Sequence, residues 1–145
     1  MVRNLVTALG HTANQDAARS IRLVIGHTDH RVRIEALRSM VTLLQAEAAL
    51  IVVKALGDDD ERVRQAALTL LKGQALPDVD RLLAGELRGD GLTIDAALGV
   101  VSILGSRAKP DGIAALHELS TKRFAFRART RTLRAAARRA LEGDS

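Results

Sequence analysis

The chain has 145 residues, 47% hydrophobic but only 1% aromatic, with no cysteine and a formal net charge of +5. Such a length suits one domain, 1–145, that buries roughly two-thirds of its unfolded surface without staples. The lack of cysteine excludes a disulfide framework and thiolate metal sites and fits a reducing, cytoplasmic setting.

Lys and Arg number 22 against 17 acids, yet eight of the basic residues fall between Leu119 and Leu141, where no acid stands. The remainder carries 14 basic against 17 acidic, so a mildly acidic body ends in a strongly basic helix. With Phe124 and Phe126 the only aromatics, the core has to be built of Ala, Leu, Val and Ile, side chains that let helices approach closely. No signal-peptide pattern opens the chain, and the longest apolar run, Ala48 to Val53, is too short to span a bilayer.

Met1 to Leu9 sets Val2, Leu5, Val6 and Leu9 at helical spacing, closed by Gly10. Asn14 can cap a second helix that buries Ala18, Ile21 and Ile25 and stops at Gly26. Asp29 caps a third, whose apolar face is Val32, Ala36, Leu37, Met40, Val41 and Leu44. Its partner runs from Ala46 to Leu56 and ends at Gly57, where a left-handed cap is sterically free. Asp58-Asp59-Asp60-Glu61 opens the next helix. Four acids resemble a metal loop, but they stand where a helix dipole favours anions, and the spaced ligands of a calcium loop are missing.

That helix buries Val63, Ala67, Leu68 and Leu71, and Pro77 suits the first turn of the following one, with Val79, Leu82, Leu83 and Leu87 on one side. Asp90 can cap the next, which carries Ile94, Ala97, Leu98, Val101 and Leu104 and ends at Gly105. Pro110 opens a helix with Ile113, Leu116 and Leu119 inward, and a last helix spans about Phe126 to Leu141. The expected fold is all-α, four helical hairpins plus a C-terminal helix, with no strand.

Sliding the chain against itself by 31 residues lays Gly26 on Gly57, Asp29 on Asp60, Val32-Arg33 on Val63-Arg64 and Ala36-Leu37 on Ala67-Leu68. An offset of that size is the length of one helix-turn-helix unit in a stacked array. The pattern Gly57-Asp58-x-Asp60-x-x-Val63-Arg64-x-x-Ala67, with Leu70 and Leu71 following, resembles the HEAT-like repeat of the bacterial phycobilisome-lyase type, and Gly26 to Leu44 matches nearly as well. The resemblance implies a right-handed α-solenoid with the Val-Arg helices on the outer layer and their partners on the concave side. It also implies a ladder in which an Asp six residues before the Arg bonds to a neighbouring repeat. Asp58 has that place before Arg64, whereas His27 stands there before Arg33.

Candidate chemistry is sparse. His27 and His30 lie in a turn without further metal ligands, and His117-Glu118 is a single copy of the dipeptide that deoxyhypusine hydroxylase, a HEAT-repeat enzyme, uses several times to hold paired iron. No cysteine, nucleophile elbow or phosphate loop accompanies them. No enzyme activity, cofactor or metal is therefore expected; a metal-dependent enzyme on the repeat scaffold is the weakest alternative.

Two surfaces remain. In the nearly all-apolar helix from Ala46 to Leu56, if Ala49, Leu50, Val53 and Leu56 face inward, then Ile51, Ala55 and Ala48 point the other way with Lys54 at the margin. That face is either a groove for another protein or buried between neighbours. In the last helix Arg127, Arg131, Arg134 and Arg138 form a stripe, flanked by Lys122, Arg123, Arg129 and Arg139. The stripe suits phosphates or an acidic partner, or is a solvated face; without aromatic platforms any nucleic-acid binding is non-specific, and the helix is too poor in bulky apolar groups to insert into a membrane. The expected function is a non-enzymatic protein-binding scaffold, with polyanion binding as the alternative. Val2, Leu5 and Val6 suit either an inner hairpin deprived of its neighbour or an apolar end-to-end contact with a second copy.

Overall fold

The computed structural model describes residues 15–44, 47–121 and 128–143. Among these there are eight α-helices and no strand: α1 Gln15–Val24, α2 His30–Leu44, α3 Ala48–Lys54, α4 Glu61–Gly73, α5 Val79–Arg88, α6 Ile94–Arg107, α7 Pro110–Thr121 and α8 Ala128–Glu142. A 3₁₀ turn, Ala55–Gly57, continues α3. The expected helix Met1 to Leu9, the cap Asn14, Ala46, both phenylalanines, Lys122, Arg123 and Arg127 lie outside the described residues.

The chain divides into two compact units, Met1–Pro77 and Asp78–Ser145. In the first, α2 is the central element: α1, α3 and α4 all pack on it, and α3 with its 3₁₀ turn also packs on α4. The two Val-Arg helices therefore stack on each other, as the 31-residue offset predicts. Each starts at its aspartate. The Asp29 carboxylate accepts the Arg31 amide at 2.8 Å and Asp60 accepts that of Arg62 at 2.8 Å, which satisfies one orphan donor of each first turn. Val32, Ala36, Leu37, Met40 and Val41 from α2 are buried with Val63, Ala67 and Leu71 from α4, while Leu68 is only half-buried. Fully burying a side chain such as Leu37 or Leu71 stabilises by about 1.5–3 kcal/mol.

In the second unit α5 packs on α6 and α7, and α8 packs on both α6 and α7. Three boundaries differ from the sequence reading. The cap of α6 is Thr93, whose hydroxyl accepts the Ala96 amide, and not Asp90. Helix α6 runs through Gly105 to Arg107 and ends on Ala108 in a left-handed conformation, φ 46°. Pro77 lies in the turn before α5, whose own cap residue, Asp78, is left-handed at φ 56°. No glycine among the described residues has positive φ, so Gly57 is not the left-handed cap expected of it.

Losing the Thr93 cap should cost about 1 kcal/mol. Thr93→Ala is expected to speed hydrogen exchange of the Ala96 amide while Thr93→Ser leaves it near wild type; equal protection in all three would refute the cap.

Candidate functional site

The turns that precede α2 and α4 are built alike. In the first, Nδ1 of His27 accepts the Asp29 amide at 3.0 Å; in the second, Oδ1 of Asp58 accepts the Asp60 amide at 2.8 Å. Arg33 then donates back to the carbonyls of His27 (2.7 Å) and Thr28 (3.1 Å), and Arg64 to those of Asp58 (2.8 Å) and Asp59 (2.9 Å). His27 thus performs the local turn-closing task of the aspartate.

What a histidine does not offer is the second function. Asp58 takes a fork from Arg33, Nε to Oδ2 at 2.9 Å and Nη2 to Oδ1 at 2.8 Å, which joins the turn before α4 to the start of α2. The expected rung between repeats is therefore present, and it runs from Asp58 back to Arg33. Burial pushes the Asp58 carboxyl up, but hydrogen bonds from Arg33 and the Asp60 amide, with the nearby charges of Arg33 and Arg64, hold it below the usual carboxylate range. The same hydrogen bonding raises the Arg33 guanidinium above its ordinary value, against desolvation.

This ion pair forms part of the wall of a cavity of about 440 Å³ in the first unit, within the span of roughly 300–1,000 Å³ typical of ligand clefts. Its apolar lining is Ile25, Leu37, Ile51, Ala55 and Val63, contributed by the end of α1, by α2, by α3 with its 3₁₀ turn, and by α4. Arg22 and Lys54 complete it. Ile51, Lys54 and Ala55, singled out from sequence, all border this one space.

The phase of α3 differs from that expected, however. Ala48, Ala49, Val52, Val53 and Leu56 are buried, whereas Leu50 is 48% exposed. Leu23 on α1, which the sequence reading passed over, is 85% exposed. Arg22, Ile25, Leu37 and Val63 were also not foreseen as neighbours of Ile51; Ile21 and Ile25, four residues apart, were the available signal.

The arginines of α8 are not equivalent. Arg131, Arg138 and Arg139 are exposed, Arg134 is half-buried and has an interaction partner, and Arg129 donates to the Leu92 carbonyl. Arg127 lies outside the described residues, so the stripe is seen in part. A second depression, about 570 Å³, lies between α6 and α8 and is interrupted by Ser102, Ser106 and Arg139. Two further ion pairs brace this unit. Arg107 meets both oxygens of buried Asp80 at 3.0 and 3.1 Å, and Arg88 meets Glu118, the acid of the His-Glu dipeptide, at 2.9 Å on the surface, where a pair contributes little. His30 accepts from Arg62 at 2.8 Å. Among the described residues no group of three or more His, Asp or Glu is gathered as a metal would require, and no helix is long and apolar enough to cross a membrane.

Paired helices that bury small aliphatic side chains, repeated at a fixed offset and joined by an Asp–Arg rung, define an all-α repeat protein of the solenoid class. Residues 2–72 match the family model described as HEAT repeats, so that stretch of the chain is HEAT-like. The match carries no subtype, so the phycobilisome-lyase type remains a resemblance. No curated protein and no solved structure matches the chain.

Proposed function

We propose that the protein is a non-enzymatic, cytoplasmic protein-binding module that engages its partner through the face of the first unit formed by α1, α3 and the 3₁₀ turn. The observation that carries this reading is the cavity bordered by Ile51, Lys54 and Ala55. Its walls come from separate helices held in register by core packing and the Arg33–Asp58 fork, so little backbone freedom is lost when a partner docks, and that lowers the cost of binding. HEAT repeats as a class serve as interaction scaffolds, which supports the same direction.

Filling the space is the direct test. Ala55→Trp is expected to weaken capture of the partner from the native cell by about tenfold or more, ~1.4 kcal/mol, with helicity unchanged. Ile51→Asp should act alike; if helicity is lost instead, Ile51 belongs to the core. The exposed Arg131 and Arg138 favour a second reading, electrostatic binding of a polyanion by α8. Capture that falls steeply with salt, disappears in Arg131→Glu/Arg138→Glu and ignores Ala55→Trp assigns the partner to α8 and overturns the first reading.

A further inference from the structure

The chemistry of the occupant follows from which charges around the cavity are already engaged. Asp58 accepts two bonds from Arg33 and one from the Asp60 amide, while Arg33 spends its remaining nitrogen on two carbonyls. Neither has much capacity left for a ligand.

The two other charged groups are cationic. Lys54 is exposed and has no hydrogen-bond or ion-pair partner among the described residues. Among the described residues Arg22 pairs with Glu47, at 3.5 Å between side chains 48% and 73% exposed, a contact that holds it weakly. The cavity therefore presents an apolar floor of Ile25, Leu37, Ile51 and Val63 under a positive rim. An apolar group that enters it is best accompanied by a carboxylate at its mouth. Leu23 and Leu50 are large exposed apolar side chains on two of the helices that contribute to the cavity, α1 and α3. On the protein-binding reading, the group that supplies both the apolar part and the carboxylate is a polypeptide, an apolar side chain with an acidic neighbour.

Resting on the protein-binding reading above, we propose that the cavity receives an aliphatic or aromatic side chain from an acidic linear segment of a partner protein, with the flanking Asp or Glu meeting Lys54 and Arg22. The face then distinguishes partners by charge as well as by fit.

The test is a selection of random dodecapeptides displayed on phage against the immobilised full chain, followed by anisotropy titration of the enriched peptides. The expected result is a Leu, Ile or Phe beside Asp or Glu, at least about a tenfold loss of affinity on Lys54→Glu and on Ala55→Trp, and basic flanks among peptides selected on Lys54→Glu. Peptides without an acidic excess, or bound equally by Lys54→Glu, overturn the proposal. If those same peptides are still lost on Ala55→Trp, the docking face stands and only the acidic class fails. If Ala55→Trp also has no effect, or no peptide is enriched, both fail.

Discussion

Asp58→Ala is expected to destabilise the first unit by roughly 2–3 kcal/mol, because it removes both arms of the fork and strands a largely buried guanidinium and an amide. The side chains of Arg33 and Asp58 are only 15% and 17% exposed, so solvent replaces little of what is lost. Arg33 keeps its two carbonyls, which places the estimate below the full cost of breaking an enclosed pair.

The pair also makes stability depend on acid. The folded Asp58 carboxyl lies below its unfolded value, so its contribution is complete above the ordinary carboxylate pKa of about 4 and is lost as pH falls through the depressed folded value. Asp29, lowered chiefly by the Arg31 amide, acts in the same direction. Urea unfolding followed by circular dichroism should show wild type losing more stability than Asp58→Ala below pH 4. Parallel curves for the two proteins would mean that folding does not favour the ionised Asp58 carboxylate.

Gly105→Val should destabilise the second unit by roughly 2–3 kcal/mol, against the helix propensity of the new residue. A Cβ at Gly105 would lie 2.9 Å from that of Ala140, so the obstacle is a methyl group fixed directly to the α8 main chain, with no torsion by which it could turn away. Gly85 in α5 provides the control, since a Cβ there meets nothing within 4 Å. Gly85→Ala is expected to stabilise by about 0.5–1 kcal/mol, the usual gain for a helix-interior glycine. A stabilised Gly105→Val would show that α6 and α8 are not in close contact there.

These two sites show what patterning could and could not specify. The offset that laid Asp29 on Asp60 and Arg33 on Arg64 identified caps and buried faces, because those depend on short, repeated spacings, whereas the rung was implied by the family resemblance. Gly105 looked like a helix end, since a glycine after Leu104 reads the same whether it terminates a helix or admits another; only the position of Ala140, far along the chain, decides. Asp90 was read as the cap of α6, but the turn places the Thr93 hydroxyl, and not that carboxylate, next to the Ala96 amide. For α3 the failure was one of phase. Ala48 to Val53 is apolar on nearly every side, so no face was favoured by composition, and Leu50 was assigned inward when α3 buries Val52 instead. The cavity was legible only as Ile51, Lys54 and Ala55, because its other walls come from helices that periodicity does not bring together.

The fork from Arg33 to Asp58 borders the cavity and also joins α2 to the turn before α4, so any change to that wall alters folding at the same time. Arg22 and Lys54 carry no comparable structural duty. In the proposed docking, selectivity can drift, or be redesigned, by exchanging these two outer side chains while the scaffold beneath stays untouched.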